Sequence, residues 1–527
     1  MQMRNSFRAL TAVLCVLAAT VVGVHSQDLV SVETGKLQGA SEGGVTVFKG
    51  IPYAAPPVGE LRWEPPQPAA SWSGVRPATD FGHDCMQMPT RSAAAPRRTV
   101  ASEDCLYANV WVPERRSGKL PVMVWIHGGG FVQGGTSPDI YDGAAFARHG
   151  IVFVSINYRL GRFGFFAFPE LTRESKTGQV GNYGYYDQLA ALKWVQRNIA
   201  AFGGDPQRVT IAGESAGGGS VHALMTSPLT TGLFRGAIVQ SGGGRTGLSS
   251  PGLRQTRNGQ PSAEELGVAF AASKGITGEG PEALKQLRAL PPETIVDGLS
   301  MATMFTARST FSGPMIDGII VVDEPQTLYQ AGKYQHVPIM VGANSADMGI
   351  SRATTVEQIF SIFGEKQKAA EEAYGASSSK NLHDLATTVA SDAMMVEPAR
   401  FVAQTLSMQG VTAWEFRFSY VVESMRKEWL GAPHATDVPF VFDTARAHYG
   451  APLTEADEKV AEEMNSYWAN FVKTGNPNGT GLPEWPAYHS SSDMLMDFTN
   501  NGPAAESDPW KKRLDLTEQI ASQKSAH

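Results

Sequence analysis

The sequence predicts an α/β fold: a large, mostly parallel central sheet with helices on both faces and helical insertions in the second half. Three observations carry this. Between residues 120 and 211, short continuous apolar runs alternate with segments of helical spacing, as strands buried on both faces do when helices cross between them. Two of those runs end in glycine-rich turns, at residues 127–130 and 213–217. The chain has 527 residues, 42% of them hydrophobic and 18% charged, so it can bury a sizeable core and is too long for a small stapled scaffold.

Taken in order, the chain opens with Arg4 and Arg8 followed by an apolar stretch over residues 9–24. Small residues precede Gln27, so residues 1–26 read as a signal peptide removed on export. A retained anchor is the alternative, although the stretch falls short of the ~20 residues a spanning helix needs. No later stretch reaches that length, which predicts a mature chain of residues 27–527 without a membrane anchor, secreted or periplasmic. Of three cysteines, Cys15 lies in the leader, and Cys85 and Cys105 remain. That count excludes a disulfide-rich framework and a multi-cysteine metal site, while export permits a disulfide to persist. A net charge of -7 argues against nucleic acid or anionic membranes as partners. Arg91, Arg97 and Arg98 form a local basic cluster in a Ser/Ala/Pro-rich loop, for which a solvated face is the plainer reading.

Strands are predicted at residues 121–126, 151–156, 208–212, 238–241 and 338–342. Between the second and third, Leu189, Leu192, Trp194 and Val195 recur at helical spacing over residues 184–198, and the turn at residues 202–206 ends that helix. Residues 242–259 read as a loop or a seam, and residues 261–311 and 357–374 turn helical, as insertions that form the wall over a site do. Asn478-Gly479-Thr480 matches a glycosylation sequon, a short pattern that identifies no host.

Gly213-Glu214-Ser215-Ala216-Gly217 fits G-x-S-x-G, follows a predicted strand and precedes a small-residue helix start at residues 218–225. That context marks a nucleophile elbow, whose glycines allow a sharp turn that exposes the serine Oγ. The helix behind it offers N–H groups and a positive dipole end to a developing oxyanion. His127-Gly128-Gly129-Gly130 lies where a second set of donors is needed. We assign the oxyanion hole to the N–H groups of Gly129, Gly130 and Ala216. A phosphate cradle is the competing reading of this loop, but G-K-[ST] and G-x-G-x-x-G are both missing there.

With these motifs in place, the chain resembles the type-B carboxylesterases, the cholinesterase-like branch of the α/β-hydrolases. The resemblance rests on Phe48-Lys49-Gly50-Ile51-Pro52-Tyr53-Ala54 with Pro56-Pro57-Val58-Gly59, and on Ser102-Glu103-Asp104-Cys105-Leu106-Tyr107. It continues through the His127 loop, Gly181-Asn182 with Asp187-Gln188, the turn at residues 202–206 and the elbow, six motifs in family order. It implies an α/β-hydrolase fold formed as a single catalytic domain over residues 27–527, a Cys85–Cys105 disulfide and an Arg62–Glu103 pair. Closing a loop of about 20 residues is worth roughly 3 kcal/mol in the chain-entropy picture.

In this fold the acid and then the histidine follow the serine. Of the seven histidines after Ser215, His434 alone lies in a Gly/Pro-shaped turn that resembles the family's histidine loop, Gly431-Ala432-Pro433-His434-Ala435-Thr436-Asp437. His222, on the elbow's helix, reads as a packed or surface residue. The acid selected by the resemblance is Asp347, three residues after Asn344, where the family more often has glutamate. Glu324 and Asp317 compete but precede the strand and read as structural. The resemblance also implies that Glu214, Ser241 and Asp437 surround the triad, against a plainer reading as a buried hydrogen-bond network.

The predicted reaction is hydrolysis of a small-molecule carboxylic ester through Ser215, His434 and Asp347 and an acyl-enzyme, with no metal or cofactor. Alternatives are the same machinery on a carbamate, thioester or lactone, and a non-catalytic adhesion module of this fold, which would lack the serine or histidine. Residues 86–104 contain no aromatic side chain, which disfavours choline esters, since cholinesterases hold the cation on a tryptophan there. If Arg91, Arg97 and Arg98 border the site, esters bearing carboxylates would be favoured.

Overall fold

A computed structural model describes residues 28–89, 98–245, 250–378 and 381–525. The predicted leader, Arg91, Arg97 and His527 lie outside the described residues. The main sheet has eleven strands: β1 (Ala40–Glu42), β2 (Val45–Pro52), β3 (Tyr107–Pro113), β4 (Leu120–Ile126), β5 (Val152–Ile156), β6 (Gly204–Glu214), β7 (Gly236–Gln240), β8 (Ile339–Asn344), β9 (Ala413–Phe418), β10 (Met494–Thr499) and β11 (Gly502–Ser507). Their spatial order is β1-β2-β3-β5-β4-β6-β7-β8-β9-β10-β11. From β5 across to β10 every neighbouring pair is parallel. The pairs at the two margins are antiparallel.

Strand β4 shows why the apolar runs are continuous. Val122, Val124 and Ile126 face one core, with Leu192, Val221 and Val402. Met123 and Trp125 face the other, with Trp468 and Phe471. Successive side chains point to opposite faces, so a strand covered on both sides needs apolar residues at every position. On the first face lie helices α1 (Tyr183–Asn198), α2 (Ala216–Thr226) and α3 (Glu397–Met408), and on the second α4 (Glu455–Thr474). A capping box of Thr454 and Asp457 starts α4, and Gly475 in the left-handed conformation ends it.

All five predicted strands are present, with shifted ends. β6 begins at Gly204 rather than Arg208, because Gly204 pairs with Leu120 before the register breaks and resumes at Val209. β7 ends at Gln240, which leaves Ser241 just beyond it with φ of 47°. The predicted helical insertions form Ala263–Ser273, Pro281–Arg288 and Pro292–Val296, then Val356–Phe360 and Gln367–Ala373. Cys85 and Cys105 are joined by a disulfide. Beside it Arg62 holds Glu103 through two parallel hydrogen bonds of 2.7 and 2.5 Å. Among the described residues no helix is long and apolar enough to cross a membrane.

Candidate active site

The site lies at the carboxyl ends of β4, β6, β7 and β8, where an open α/β sheet places its ligands. Ser215 stands between β6 and α2 with φ of 56° and ψ of -122°, a conformation costly for a residue with a side chain. The surrounding backbone enforces it. Ser215 N–H donates to the Gln240 carbonyl at 2.9 Å, and Gly219 N–H donates to the Ser215 carbonyl at 2.9 Å. A Cβ on Gly217 would strike the Ile126 carbonyl, and one on Gly213 the Gly217 carbonyl. These close backbone approaches explain both glycines of the motif.

His434 Nε2 lies 2.9 Å from Ser215 Oγ, and His434 Nδ1 lies 2.5 Å from Asp347 Oδ1. The second carboxylate oxygen, Oδ2, accepts from Ser241 Oγ at 2.6 Å and from the Asn344 N–H at 2.8 Å. Oδ1 also accepts from the Met348 N–H at 2.6 Å. The acid and histidine loops are stitched together: Ala346 N–H reaches the Ala432 carbonyl at 2.9 Å, and Asn344 Nδ2 reaches the Pro433 carbonyl at 2.6 Å. A Cβ on Gly431 would fall 2.7 Å from Ser345 Oγ, which accepts from the Ala432 N–H at 2.9 Å, so a side chain there would push on a hydroxyl that ties the two loops. The short aspartate reaches the imidazole because the two loops are drawn this close.

Three buried carboxyl groups surround the one imidazole. Glu214 Oε1 lies 3.3 Å from His434 Nε2, and burial pushes its pKa up to about 8, with Asp437 and Asp347 adding to the rise against the pull of His434. Burial also raises Asp437, whose oxygens accept from Gln240 Nε2 at 2.6 Å and Asn344 Nδ2 at 3.2 Å. Asp347 is the exception. Burial would raise it, but the His434 charge and hydrogen bond, with those of Ser241 and Asn344, hold it below the ordinary carboxylate range. Burial likewise works against a charged His434, yet Asp347 first and then Glu214 hold its pKa above the usual value.

Gly129 and Gly130 have φ of 103° and 62°, and among the described residues neither N–H donates to a backbone carbonyl. Ala216 opens α2, where an N–H has no acceptor within the helix. A Cβ on Gly128 would fall 3.0 Å from Ser215 Cβ, which shows how closely the loop packs on the serine. From Gly130 and Gly219 a cavity of about 500 Å³ leads outward past Phe131, Tyr185, Phe311 and Val321. A hydroxyl, an imidazole and a carboxylate in sequence beside free N–H donors can perform acyl transfer.

The remaining sequence candidates separate clearly. Ser241 bonds Asp347, and Asp437 reaches the acid loop through Asn344. His222 is buried with Nδ1 2.8 Å from the Tyr329 hydroxyl, and burial pushes its pKa down to about 4. Asp317 accepts from the N–H groups of Ile319, Ile320 and Val321, and Glu324 from Ser250 N–H at 2.6 Å. Arg98 pairs with Asp139. The sequon residue Asn478 clips its own loop, donating to the Trp485 carbonyl at 2.8 Å and accepting from its N–H at 2.7 Å. Sequence reasoning missed the structural parts of Gln240 and Asn344. Asn344 was visible only as a marker for the acid.

This fold with this site defines an esterase of the α/β-hydrolase class. Residues 26–517 match the carboxylesterase family, and the chain belongs to that family. It is 34% identical to a fumonisin B1 esterase of Sphingopyxis macrogoltabida over 91% of this chain and 89% of that one. It is 35% identical to a human cocaine esterase over 92% and 91%. It is 33% identical to a para-nitrobenzyl esterase of Bacillus subtilis over 90% and 95%.

Proposed function

We propose that the protein hydrolyses small-molecule carboxylic esters through an acyl-enzyme on Ser215. The observation that carries this is the unbroken chain Ser215 Oγ, His434, Asp347 with spacings of 2.9 and 2.5 Å. His434 takes the hydroxyl proton as Ser215 attacks the ester carbonyl. The oxyanion rests on the N–H groups of Gly129, Gly130 and Ala216, and the alcohol departs with the proton from His434. Water repeats the cycle on the acyl-enzyme. Asp347 holds the imidazole tautomer and stabilises its charged form. Ser241 and Asn344 fix Asp347, and Glu214 and Asp437 set the charge around His434.

The relatives are named as fumonisin B1, cocaine and para-nitrobenzyl esterases. In this chain Ser215, His434 and Asp347 supply the chemistry, and the cavity walls choose the ester. The leader pattern and the disulfide support an exported protein, and one sheet shared by all the site's loops supports a single catalytic domain over residues 27–527. The direct test is turnover of a p-nitrophenyl ester by wild type and Ser215→Ala. The account predicts a loss on the order of 10⁶-fold in kcat, and unchanged turnover would reject the mechanism.

A further inference from the structure

Above the oxyanion loop lie two thioether sulfurs. An ideal Cβ on Gly130 would strike Met301 Sδ and fall 2.9 Å from Met304 Sδ. The two methionines come from one compact turn, in which Met304 N–H donates to the Ser300 carbonyl at 2.8 Å and Ser300 N–H to Thr303 Oγ1 at 2.9 Å. Both side chains are half-buried and pack with Phe131 against the aromatic wall of the cavity. Met304 lines that cavity directly. The chain has 18 methionines, and several others, Met123, Met225, Met315, Met340, Met464 and Met496 among them, are fully buried.

From this placement we infer that Met301 and Met304 form an oxidation site through which a hydroperoxide shuts down the esterase. The inference rests on the proposed use of Gly129 and Gly130 as oxyanion donors. The thioether sulfur attacks the hydrogen-bearing peroxide oxygen, the O–O bond breaks as an S–O bond forms, sulfur loses two electrons, and the proton on the transferred oxygen passes to the departing oxygen, which leaves as water or an alcohol. The sulfoxide replaces an apolar, weakly accepting atom by a polar group with a strong acceptor oxygen. Beside Gly130, that oxygen competes for the N–H groups that would stabilise the transition state. The loss therefore falls on kcat. Methionine sulfoxide reductases reverse the change.

The test treats wild type and Met301→Leu/Met304→Leu with graded hydrogen peroxide, maps sulfoxides by peptide mass, and follows p-nitrophenyl ester turnover. Each protein is normalised to its own untreated rate. Leucine conserves volume at such positions, and Met408, 72% exposed at the end of α3, serves as an internal control for oxidation without effect. In wild type, kcat falls in step with oxidation at 301 and 304, reaching about tenfold to about 100-fold, up to the range for loss of one oxyanion donor. The double variant keeps its untreated rate over the same doses. Treating oxidised wild type with methionine sulfoxide reductases A and B gives a second readout that needs no substitution, and kcat recovers. Equal fractional loss in the double variant, or full kcat in wild type oxidised at both positions, overturns the inference while ester hydrolysis stands. Absence of turnover in untreated wild type would instead overturn ester hydrolysis, and this inference with it.

Discussion

Two regions of the molecule bury clusters of charge, and they do so differently. Around the helix Lys511–Ser525, guanidinium groups hold carboxylates. Arg417 grips Asp508 at 2.9 and 2.7 Å, and Arg400 grips Asp493 at 3.0 and 2.6 Å. Arg513 reaches Asp392 at 2.9 Å, and Arg245 pairs with Glu397. At the elbow, Glu214, Asp347 and Asp437 surround a single imidazole, and among the described residues no lysine or arginine pairs with any of them. A guanidinium keeps its proton at any working pH, so the cationic side of the first cluster is fixed, even where burial pushes a carboxyl up, as it does Glu397 to about 7 against the pull of Arg245. An imidazole, unlike a guanidinium, can give up its second proton, as a group that carries a proton through the proposed reaction must. Both clusters are buried, and what distinguishes them is whether the cationic partner can release its proton.

That contrast breaks in measurable ways. The largest effect is expected from Asp347→Asn, which keeps the shape of the acid and removes its charge. kcat should fall by about 10⁴-fold, as loss of the orienting charge does in serine triads generally. A change below tenfold would move Asp347 into the structural class. Next is Arg417→Met. It leaves Asp508 buried and unpaired and removes the guanidinium stacked 3.8 Å from the Trp510 ring. Urea unfolding should show a loss of about 3–5 kcal/mol, while kcat of the folded variant stays close to wild type. A large kcat loss without destabilisation would contradict the division.

The smallest effect sharpens the comparison at the elbow. Glu214→Gln removes the ionisable carboxyl group 3.3 Å from His434 Nε2. Because Glu214 helps to hold His434 above its ordinary pKa, its removal lowers that pKa. The neutral imidazole required to accept the Ser215 proton then persists to lower pH. The acid limb of kcat/KM should therefore move toward lower pH in the variant. An unmoved or upward-shifted limb would show that Glu214 does not act on the imidazole.

The central strands and the elbow were legible in the sequence because both depend on local patterns. Continuous apolar runs signal strands covered on both faces, and the short G-x-S-x-G pattern marks the turn, although the Ile126 carbonyl that excludes a side chain from Gly217 lies on β4, far away in sequence. The margins of the sheet were not legible. β1, β2 and β11 pair antiparallel with partners that local periodicity does not identify, and the exposed pattern of β11 carries no strand signal. Asp347 and His434 were proposed from the resemblance of their loop motifs. That Asn344 ties one loop to the other, and that Ser241 turns to Asp347, depends on contacts between residues 89 and 106 apart in sequence. Such contacts arise from the stacking of β7, β8 and β9 and leave no mark on any single segment.

The central claim is that Ser215 becomes covalently acylated with His434 as its base. Labelling with a fluorophosphonate, which phosphorylates an activated serine as a stable mimic of the acyl-enzyme, tests it most directly when followed by peptide mass mapping. The account predicts one adduct, on Ser215, formed far more slowly in His434→Ala and absent in Ser215→Ala. An adduct on another residue, or labelling of Ser215 at an undiminished rate in His434→Ala, would contradict it.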